Sequence, residues 1–330
     1  MKVVDMHCDT ISELLEHKKI GWTLADNDMH LRLDKMEAGD YLLQNFALFV
    51  NLGRPTDPYE QAMILADCFD EQMKQFGDRI SQVRSFADIE KNRAEGKISA
   101  MLTIEEGGVC KGSLEKLRKF YDRGVRMMTL TWNYPNEIGH PNAPMSDNIE
   151  ADPDYSTPEV KKGLTELGID FVEEMQKMGM IVDVSHLSDA GFWDVVKYTK
   201  KPFVASHSNA RAVCKNVRNL TDEMIRALAE KGGVTGLNFC SEFLEDFQNG
   251  IRPAGTISSV VDHAKHIVNV GGIECLGLGS DFDGITTHAE LTGGDKLPLL
   301  DDALAKGGFS AAQREKIFSG NVLRLYKEVL

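Results

Sequence analysis

Eight short apolar runs alternate with segments of helical periodicity along the chain, and this alternation is the strongest constraint on its fold. The runs begin at residues 3, 42, 98, 125, 180, 202, 233 and 275. The segments between them carry helix signals, as in residues 113–124, which open on a serine cap and close on Gly124. Buried-type strands that alternate with helices are typical of parallel βα units, and eight units favour a closed (β/α)8 barrel of the TIM type.

An open, doubly wound sheet is the alternative fold for the same alternation. Its usual nucleotide markers are missing, because no G-x-G-x-x-G or Walker sequence follows any of the eight runs. Three segments rich in turn-forming residues are predicted to be irregular loops, at about 134–158, 242–256 and 285–298. We find no internal repeat, so the α/β chain is interpreted as one domain over residues 1–330, with its active site at the C-terminal ends of the strands.

Charge and composition exclude several classes of partner. The chain carries a formal net charge of −14, which argues against nucleic acid and against an anionic membrane surface. We see no apolar stretch long enough to span a bilayer, and the first strand begins too early to leave room for a signal peptide. The six cysteines have no C-x-x-C spacing, so reduced, buried thiols are expected. These features predict a cytoplasmic protein.

Ionisable side chains end five of the eight predicted strands. These are His7 and Asp9 in "VVDMHCDT", Glu105 with Glu106, His186, His207 and Asp281. Because the C-terminal strand ends of a barrel form one ring, these groups should converge on a single concave surface. Buried charges without partners are costly, so carboxylates interleaved with imidazoles at such a place are best explained by metal.

The number of these groups exceeds what one catalytic zinc ion needs, since such an ion takes three protein ligands and keeps one position open. They fit two divalent ions about 3.5–4 Å apart, bridged by a carboxylate and by a water whose pKa is lowered. The chemistry implied is hydrolysis of a polarised carbonyl or phosphoryl centre. His140 is ambiguous, and the remaining histidines are interpreted as solvated: His17, His30, His263, His266 and His288.

Five motifs resemble those of the membrane dipeptidase (renal dipeptidase) family of binuclear zinc peptidases, a branch of the amidohydrolase superfamily. They read "DMHCDT", "IEEGG", "DVSHLSD", "SHSNARAVCKNVRNLTDE" and "GLGSDFDG", in family order over residues 5–284. The segment "NVLRLYKEV" also resembles the closing helix of the family. The resemblance implies a zinc-dependent dipeptidase that cleaves dipeptides with free termini, often with a D-residue at the C-terminal position, by attack of a metal-bridging hydroxide.

The resemblance also implies a role for each site residue. Two zinc ions per chain would be held by five ligands: His7 with Asp9, His186 with His207, and Glu106 as the bridge. Glu105 would then point away, since successive strand residues face opposite sides. Arg218 would hold the substrate carboxylate in a bidentate fork. Asp281 would contact the substrate amino group and the bridging solvent, and would shuttle a proton.

The chain departs from the family where "LTWN" replaces the "LTH" of many members. That histidine helps to stabilise the tetrahedral intermediate, whereas Trp132 offers only a neutral indole N–H. Asn133 and His140 are the candidates to substitute for it. The bulk of Trp132 predicts selective activity that prefers small dipeptides. The lipid anchor of animal relatives is not expected to carry over, and the resemblance suggests a homodimer.

Two other functions remain open from the sequence. One is an amidohydrolase-type activity on another small amide, a lactone or a phosphoester, but the expected position of Arg218 suits a free carboxylate better. The other is a catalytically silent, metal-dependent binding protein. The presence of Asp281 and of a complete ligand set argues against it.

Overall fold

The computed structural model of the protein describes residues 1–145, 153–247, 253–286 and 290–330. Nine strands occur in these ranges, all in one parallel sheet. In chain order they are β1 (Val3–Asp5), β2 (Tyr41–Phe49), β3 (Ile80–Gln82), β4 (Ile98–Glu105), β5 (Val125–Thr129), β6 (Ile181–Asp183), β7 (Val204–Ala205), β8 (Val234–Leu237) and β9 (Leu276–Leu278). The eight predicted runs account for all of them except β3.

Eight of the strands close into a barrel, because β2, at one end of the sheet, also pairs with β4, next to the other end. β3 lies outside this ring. It pairs with residues 98–100 of β4, along the same edge of β4 that pairs with β5 from Leu102 onward. The predicted (β/α)8 barrel is confirmed, and the open sheet is excluded.

Helices connect the strands and cover the outside of the barrel. They are α1 (Thr10–Glu16), α2 (Leu33–Ala38), α3 (Pro58–Gln75), α4 (Phe86–Ala94), α5 (Leu114–Arg123), α6 (Glu166–Met178), α7 (Asp189–Tyr198), α8 (Asp222–Glu230), α9 (Ser241–Leu244), α10 (Ile257–Gly271), α11 (Leu297–Lys306), α12 (Ala311–Glu315) and α13 (Asn321–Val329). Local sequence sets their ends: the Ser113 side chain caps α5, and Gly124 ends it with a φ of 111° that suits glycine.

The N-terminal end of the barrel is filled by apolar side chains from seven strands. Val4, Leu43, Met101, Met127, Ile181, Val204 and Val234 pack there with the apolar face of α13. Tyr326 of α13 is fully buried among them, and its hydroxyl accepts a hydrogen bond from Asn45 Nδ2 at 2.7 Å. This closed end leaves the opposite end, where the strands finish, as the place for a site.

The predicted irregular loops are only partly described. They contain the short helix α9 and a 3-10 turn at Gly294–Lys296, while residues 146–152, 248–252 and 287–289, and His288 with them, lie outside the described residues. Among the helices that are described, none combines the length and the apolar character needed to cross a membrane.

Candidate active site

Glu105, the last residue of β4, lies at the centre of the polar cluster where the strand ends meet. Its Oε2 atom is 3.2 Å from Nε2 of His7. Its Oε1 atom is 3.0 Å from Nε2 of His186 and 3.7 Å from Nε2 of His207. The two carboxylate oxygens therefore face two different groups of imidazoles. Nε2 of His186 and Nε2 of His207 are also only 3.0 Å apart, close enough for a proton or a single cation to be shared between them.

Asp9 and Asp281 complete the side of the cluster that contains His7. Oδ2 of Asp9 is 3.4 Å from Nε2 of His7, and Oδ1 of Asp281 is 3.7 Å from it. Neither carboxylate comes from a strand: Asp9 is the N-cap of α1, and Asp281 follows β9 with a φ of 62°. Asn238, which directly follows β8, donates to Oδ2 of Asp281 at 2.8 Å. Asn238 is not among the site residues predicted from the sequence, although it too is a polar residue at a strand end.

Burial and crowding shift the pKa values in this cluster. Burial raises the pKa of Glu105. Burial by itself would lower the pKa of His7, but Glu105 and Asp9 outweigh it and hold that pKa well above its ordinary value. Burial lowers the pKa of both His186 and His207 far below the ordinary value. The cluster thus combines crowded carboxyl groups with two imidazoles whose neutral form is favoured, which is a suitable donor set for divalent cations.

Unpaired polar atoms show that these residues fit a metal centre. Oδ1 of Asp9 is buried without a hydrogen-bond partner, and Nε2 of His7, although 3.2–3.7 Å from three carboxylates, makes no well-directed hydrogen bond to any of them. Leaving such an atom unsatisfied costs about 1–3 kcal/mol, a cost that coordination to a cation removes. The potential ligand atoms of His7, Glu105 and His207 lie within 4.8 Å of one another, and so do those of His7, Asp9 and Asp281.

Glu106 does not reach this cluster, so the prediction that it is the shared carboxylate is wrong. Its side chain is buried and accepts hydrogen bonds from the backbone N–H groups of Gly108 (2.7 Å) and Trp132 (3.0 Å). It also accepts one from Nδ2 of Asn136 at 2.5 Å. Burial raises the pKa of Glu106 to about 7. Glu106 therefore holds the loop after β5 in place, and that loop carries Trp132 and Asn133.

The error has a simple geometric origin. Met101 points into the barrel core, so alternation along β4 turns Thr103 and then Glu105 to the same inner side. Glu106 has already left the strand, with a φ of 95° that turns its side chain elsewhere.

Arg218 lies between β7 and α8 and is almost completely buried, with 3% of its surface exposed. Its Nε and Nη2 atoms have no hydrogen-bond partner, and its guanidinium carbon is 5.4 Å from the ring centre of Phe243. A bidentate ion pair between Arg211 and Asp189, at 2.7 and 2.8 Å, anchors this segment. A buried cation with two free donors is suited to a planar anion such as a carboxylate.

Trp132, Asn133 and His140, the three residues of the loop after β5 that the sequence singles out, lie in different places relative to the cluster. Trp132 lines the cavity described below, with its ring 6.3 Å from that of His186 and edge-on to Phe49 at 4.9 Å. Oδ1 of Asn133 lies 2.9 Å from Nδ1 of His186, so Asn133 orients that imidazole. His140 instead hydrogen-bonds to the carbonyl of Gly163 at 3.2 Å, away from the cavity wall that the described residues form.

A cavity of about 510 Å³ opens over the cluster, a size typical of sites for small molecules. Its wall contains four residues of the cluster and several aromatic side chains: Asp9, Glu105, His186, Asp281, Phe49, Trp132, Tyr155 and Phe243.

His263 on α10 is not solvated, so that interpretation is wrong. The imidazole is fully buried. Its Nδ1 accepts from the N–H of Ala210 at 3.1 Å, and its Nε2 donates to the carbonyl of Leu244 at 3.1 Å. Burial lowers its pKa to about 4. It joins α10 to two loops and takes no part in the cluster.

A (β/α)8 barrel whose strand ends gather imidazoles and carboxylates beneath a cavity has the architecture of a metal-dependent hydrolase. Comparison with known proteins gives the family. The family described as membrane dipeptidase (Peptidase family M19) matches residues 1–330. The chain therefore belongs to the membrane dipeptidase family, which confirms the resemblance seen in the sequence, and it is a metallodipeptidase by class.

Individual relatives agree with this assignment. An uncharacterised dipeptidase of Schizosaccharomyces pombe is 31% identical over an alignment covering 99% of this chain and 80% of that protein. The crystal structure of a metallopeptidase from Rhodobacter sphaeroides, bound to a phosphinate mimic of the dipeptide L-Ala-D-Ala, superposes with a TM-score of 0.88 and 27% identity, covering 100% of this chain and 99% of that one. The structure of dipeptidase AC superposes with a TM-score of 0.89 and 28% identity, covering 100% and 98%.

Proposed function

We propose that this chain is a binuclear zinc dipeptidase that cleaves small dipeptides with free termini, L-Xaa-D-Xaa among them. The observation that carries the proposal is the position of Glu105, whose two oxygens face two separate groups of donor atoms. One zinc ion would be held by His7 and Asp9, the other by His186 and His207, and Glu105 would serve both. Two ions held there would polarise the scissile carbonyl and lower the pKa of a water molecule.

Arg218 binds the C-terminal carboxylate of the substrate in this proposal. The support is its burial together with its two unpaired nitrogen donors. Because water is excluded around the guanidinium, a bidentate contact there is stronger than one at the surface. A carboxylate at this place also favours a dipeptide over a neutral lactone or amide, since those substrates would leave the buried cation unpaired.

Asp281 binds the substrate amino group and moves the proton. Asn238 holds its Oδ2 atom, which leaves Oδ1 directed toward the cluster. From there Oδ1 can accept the proton that the attacking water loses and pass it to the nitrogen of the leaving amine. Because Asn238 fixes the carboxylate through Oδ2, Oδ1 stays close both to the attacking water and to the leaving nitrogen.

Trp132 and Phe49 form an aromatic wall beside His186, and we propose that this wall favours small side chains on one substrate residue. The similar metallopeptidase of Rhodobacter sphaeroides binds a mimic of L-Ala-D-Ala, a dipeptide with two small side chains and a D-residue at its C-terminus. The indole N–H is the candidate donor to the developing oxyanion in place of the imidazole found in many relatives.

The test combines metal analysis with a panel of dipeptides. The purified protein should contain close to two zinc ions per chain, and it should cleave L-Ala-D-Ala and small L-L dipeptides. The matched controls are the same dipeptides with an amidated C-terminus, which removes the negative charge that Arg218 needs. A protein without bound metal whose activity resists chelators would contradict the proposal, and equal cleavage of amidated and free dipeptides would contradict the role of Arg218.

A further inference from the structure

Asp183, the last residue of β6, is fully buried near the cluster and accepts four hydrogen bonds. Oδ1 accepts from the backbone N–H groups of Ser185 (3.0 Å) and Ser206 (2.8 Å). Oδ2 accepts from the hydroxyls of Thr129 and Ser206, both at 2.6 Å. The Oγ atom of Ser206 also lies 2.7 Å from Nδ1 of His207. A series of hydrogen bonds thus connects a buried carboxylate to an imidazole of the cluster.

The atom that carries each hydrogen in this series of hydrogen bonds follows from the chemistry of the groups. The hydroxyl of Ser206 donates to Oδ2 of Asp183 at 2.6 Å, so its single hydrogen is directed to that oxygen. Oγ of Ser206 can then only accept from the neighbouring ring, which places a hydrogen on Nδ1 of His207. The lone pair of that imidazole consequently lies on Nε2, the atom that faces Glu105 and His186.

A second carboxylate makes the same pattern of contacts at another pair of strands. Oδ1 of Asp5, at the end of β1, accepts from the N–H groups of Ser280 (2.9 Å) and His7 (3.3 Å), and Oδ2 accepts from the hydroxyl of Ser280 (2.6 Å). In both cases the serine immediately precedes a residue of the cluster, Ser280 before Asp281 and Ser206 before His207. The hydroxyl of Ser280 also lies 3.3 Å from the carbonyl oxygen of His7, so both buried pairs hold backbone that carries residues of the cluster.

We propose that Asp183 and Ser206 act as a positioning pair that holds His207 in the Nδ1–H tautomer and so presents its Nε2 lone pair to the metal. Asn133 does the same for His186, because its Oδ1 accepts from Nδ1 of that ring. The proposal rests on the proposed function, in which the cluster holds zinc. Groups that orient a ligand in this way typically contribute about 10- to 100-fold to metal affinity.

Two substitutions test the pair. Ser206→Ala removes the acceptor for Nδ1 of His207. Asp183→Asn keeps the shape, but its amide can donate to Oγ of Ser206, which frees the hydroxyl hydrogen for Nδ1 and favours the opposite tautomer. The matched control is Thr129→Val, which removes a hydroxyl from the same oxygen of Asp183 without touching a histidine. Ser206→Thr restores the hydroxyl and serves as the rescue variant.

Two measurements distinguish an effect on the tautomer of His207 from a general loss of folding. Nitrogen-15 NMR of the metal-free, histidine-labelled protein reports which ring nitrogen of His207 is protonated, and competition with a chromogenic chelator reports zinc affinity. We expect Nδ1–H in the wild type, loss of that preference in Ser206→Ala, and Nε2–H in Asp183→Asn. Zinc affinity should fall about 10- to 100-fold in both variants, with Thr129→Val and Ser206→Thr close to wild type.

Each outcome decides the proposal. Wild-type tautomer and zinc affinity in Ser206→Ala and Asp183→Asn would overturn it. An equal loss of affinity in Thr129→Val would overturn it as well, because the role would then be structural only. If Ser206→Ala fails to fold, the comparison of Asp183→Asn with Ser206→Thr gives the same decision. A wild-type protein that binds no zinc would refute the proposed function, whereas the tautomer of the metal-free protein still tests the pair.

Discussion

Glu105 and Glu106 are adjacent glutamates with opposite surroundings, so exchanging each for glutamine should produce two clearly different defects. Oxygens of Glu105 lie 3.0–3.7 Å from the Nε2 atoms of three histidines. The side chain of Glu106 is enclosed by hydrogen-bond donors of the neighbouring loops and contacts none of these imidazoles in the part of the chain that the structure describes. The substitutions have the same size, so each is the control for the other.

Glu106→Gln should destabilise the fold and leave the metal centre intact. The carboxylate accepts from two backbone N–H groups and one side-chain amide, whereas glutamine offers one oxygen and places an NH2 group where the other oxygen was. At least one buried N–H group then loses its acceptor, at about 1–3 kcal/mol. Since burial already raises the pKa of Glu106 to about 7, the lost charge offsets part of this cost. We expect the free energy of unfolding to fall by about 1–2 kcal/mol and the zinc content to stay near that of the wild type.

Glu105→Gln should empty both metal positions while leaving the metal-free fold at least as stable. The substitution replaces an anionic oxygen on one side of the carboxylate by an amide NH2 group, which cannot coordinate, and it weakens the other oxygen. It also removes the repulsion among the carboxylates of Glu105, Asp9 and Asp281. In the wild type this repulsion adds to burial in raising the pKa of Glu105. The assays are elemental analysis after dialysis and urea unfolding of the metal-free variants. Zinc retained by Glu105→Gln but lost from Glu106→Gln would refute the register of β4 described above.

Three further predictions concern binding, specificity and pH. Arg218→Ala should raise KM for free dipeptides by the equivalent of about 2–5 kcal/mol with a smaller effect on kcat, and steady-state kinetics would contradict this if kcat alone fell. Trp132→His should raise turnover or extend the range to bulkier dipeptides; unchanged kinetics on matched small and bulky substrates would show that the indole only packs. Because burial lowers the pKa of His263 to about 4 from the ordinary 6.5, the unfolded chain binds a proton between these pH values that the folded chain does not. The contribution of His263 to the free energy of unfolding should therefore fall by about 3 kcal/mol as pH drops from 6.5 to 4, so urea unfolding should show the difference between the wild type and His263→Gln shifting by about that amount over this range.

The barrel could be predicted from the sequence because every strand of the ring is an apolar run of sufficient length between helical segments. β3 could not, because "ISQ" has one apolar residue and forms only by pairing with the start of β4. The convergence of His7, Asp9, His186 and His207 could also be predicted, since parallel strands bring their C-terminal ends together whatever the exact register.

The orientation of individual side chains was harder to predict, as the two glutamates show. Alternation assigns sides only while the chain remains a strand, and nothing in "IEEGG" marks where β4 ends. Counting from Met101, a large apolar residue in the middle of the run, would have turned Glu105 inward. Asp5 and Asp183 are recognisable in the sequence as unusual, because each is a carboxylate inside an apolar run, and such a group must find several donors to be tolerated there.

Backbone strain supports the view that the strand ends are shaped for function and not for stability. Among the described residues, six that are not glycine have positive φ, and four of these lie at or beside the cluster: Glu106, His186, Asp281 and Asp283. Such conformations cost about 1–3 kcal/mol each and persist only where neighbouring contacts enforce them. The contacts are present here, since Asn238 holds Asp281, Asn133 holds His186, and the hydroxyl of Thr10 donates to Asp283 at 2.6 Å. Glycine would relieve the backbone at any of these positions, but it would remove a side chain of the cluster at His186 and Asp281, and a side chain that holds neighbouring segments at Glu106 and Asp283. The residues next to each strained position are therefore as necessary to the site as the side chains that would bind metal or substrate.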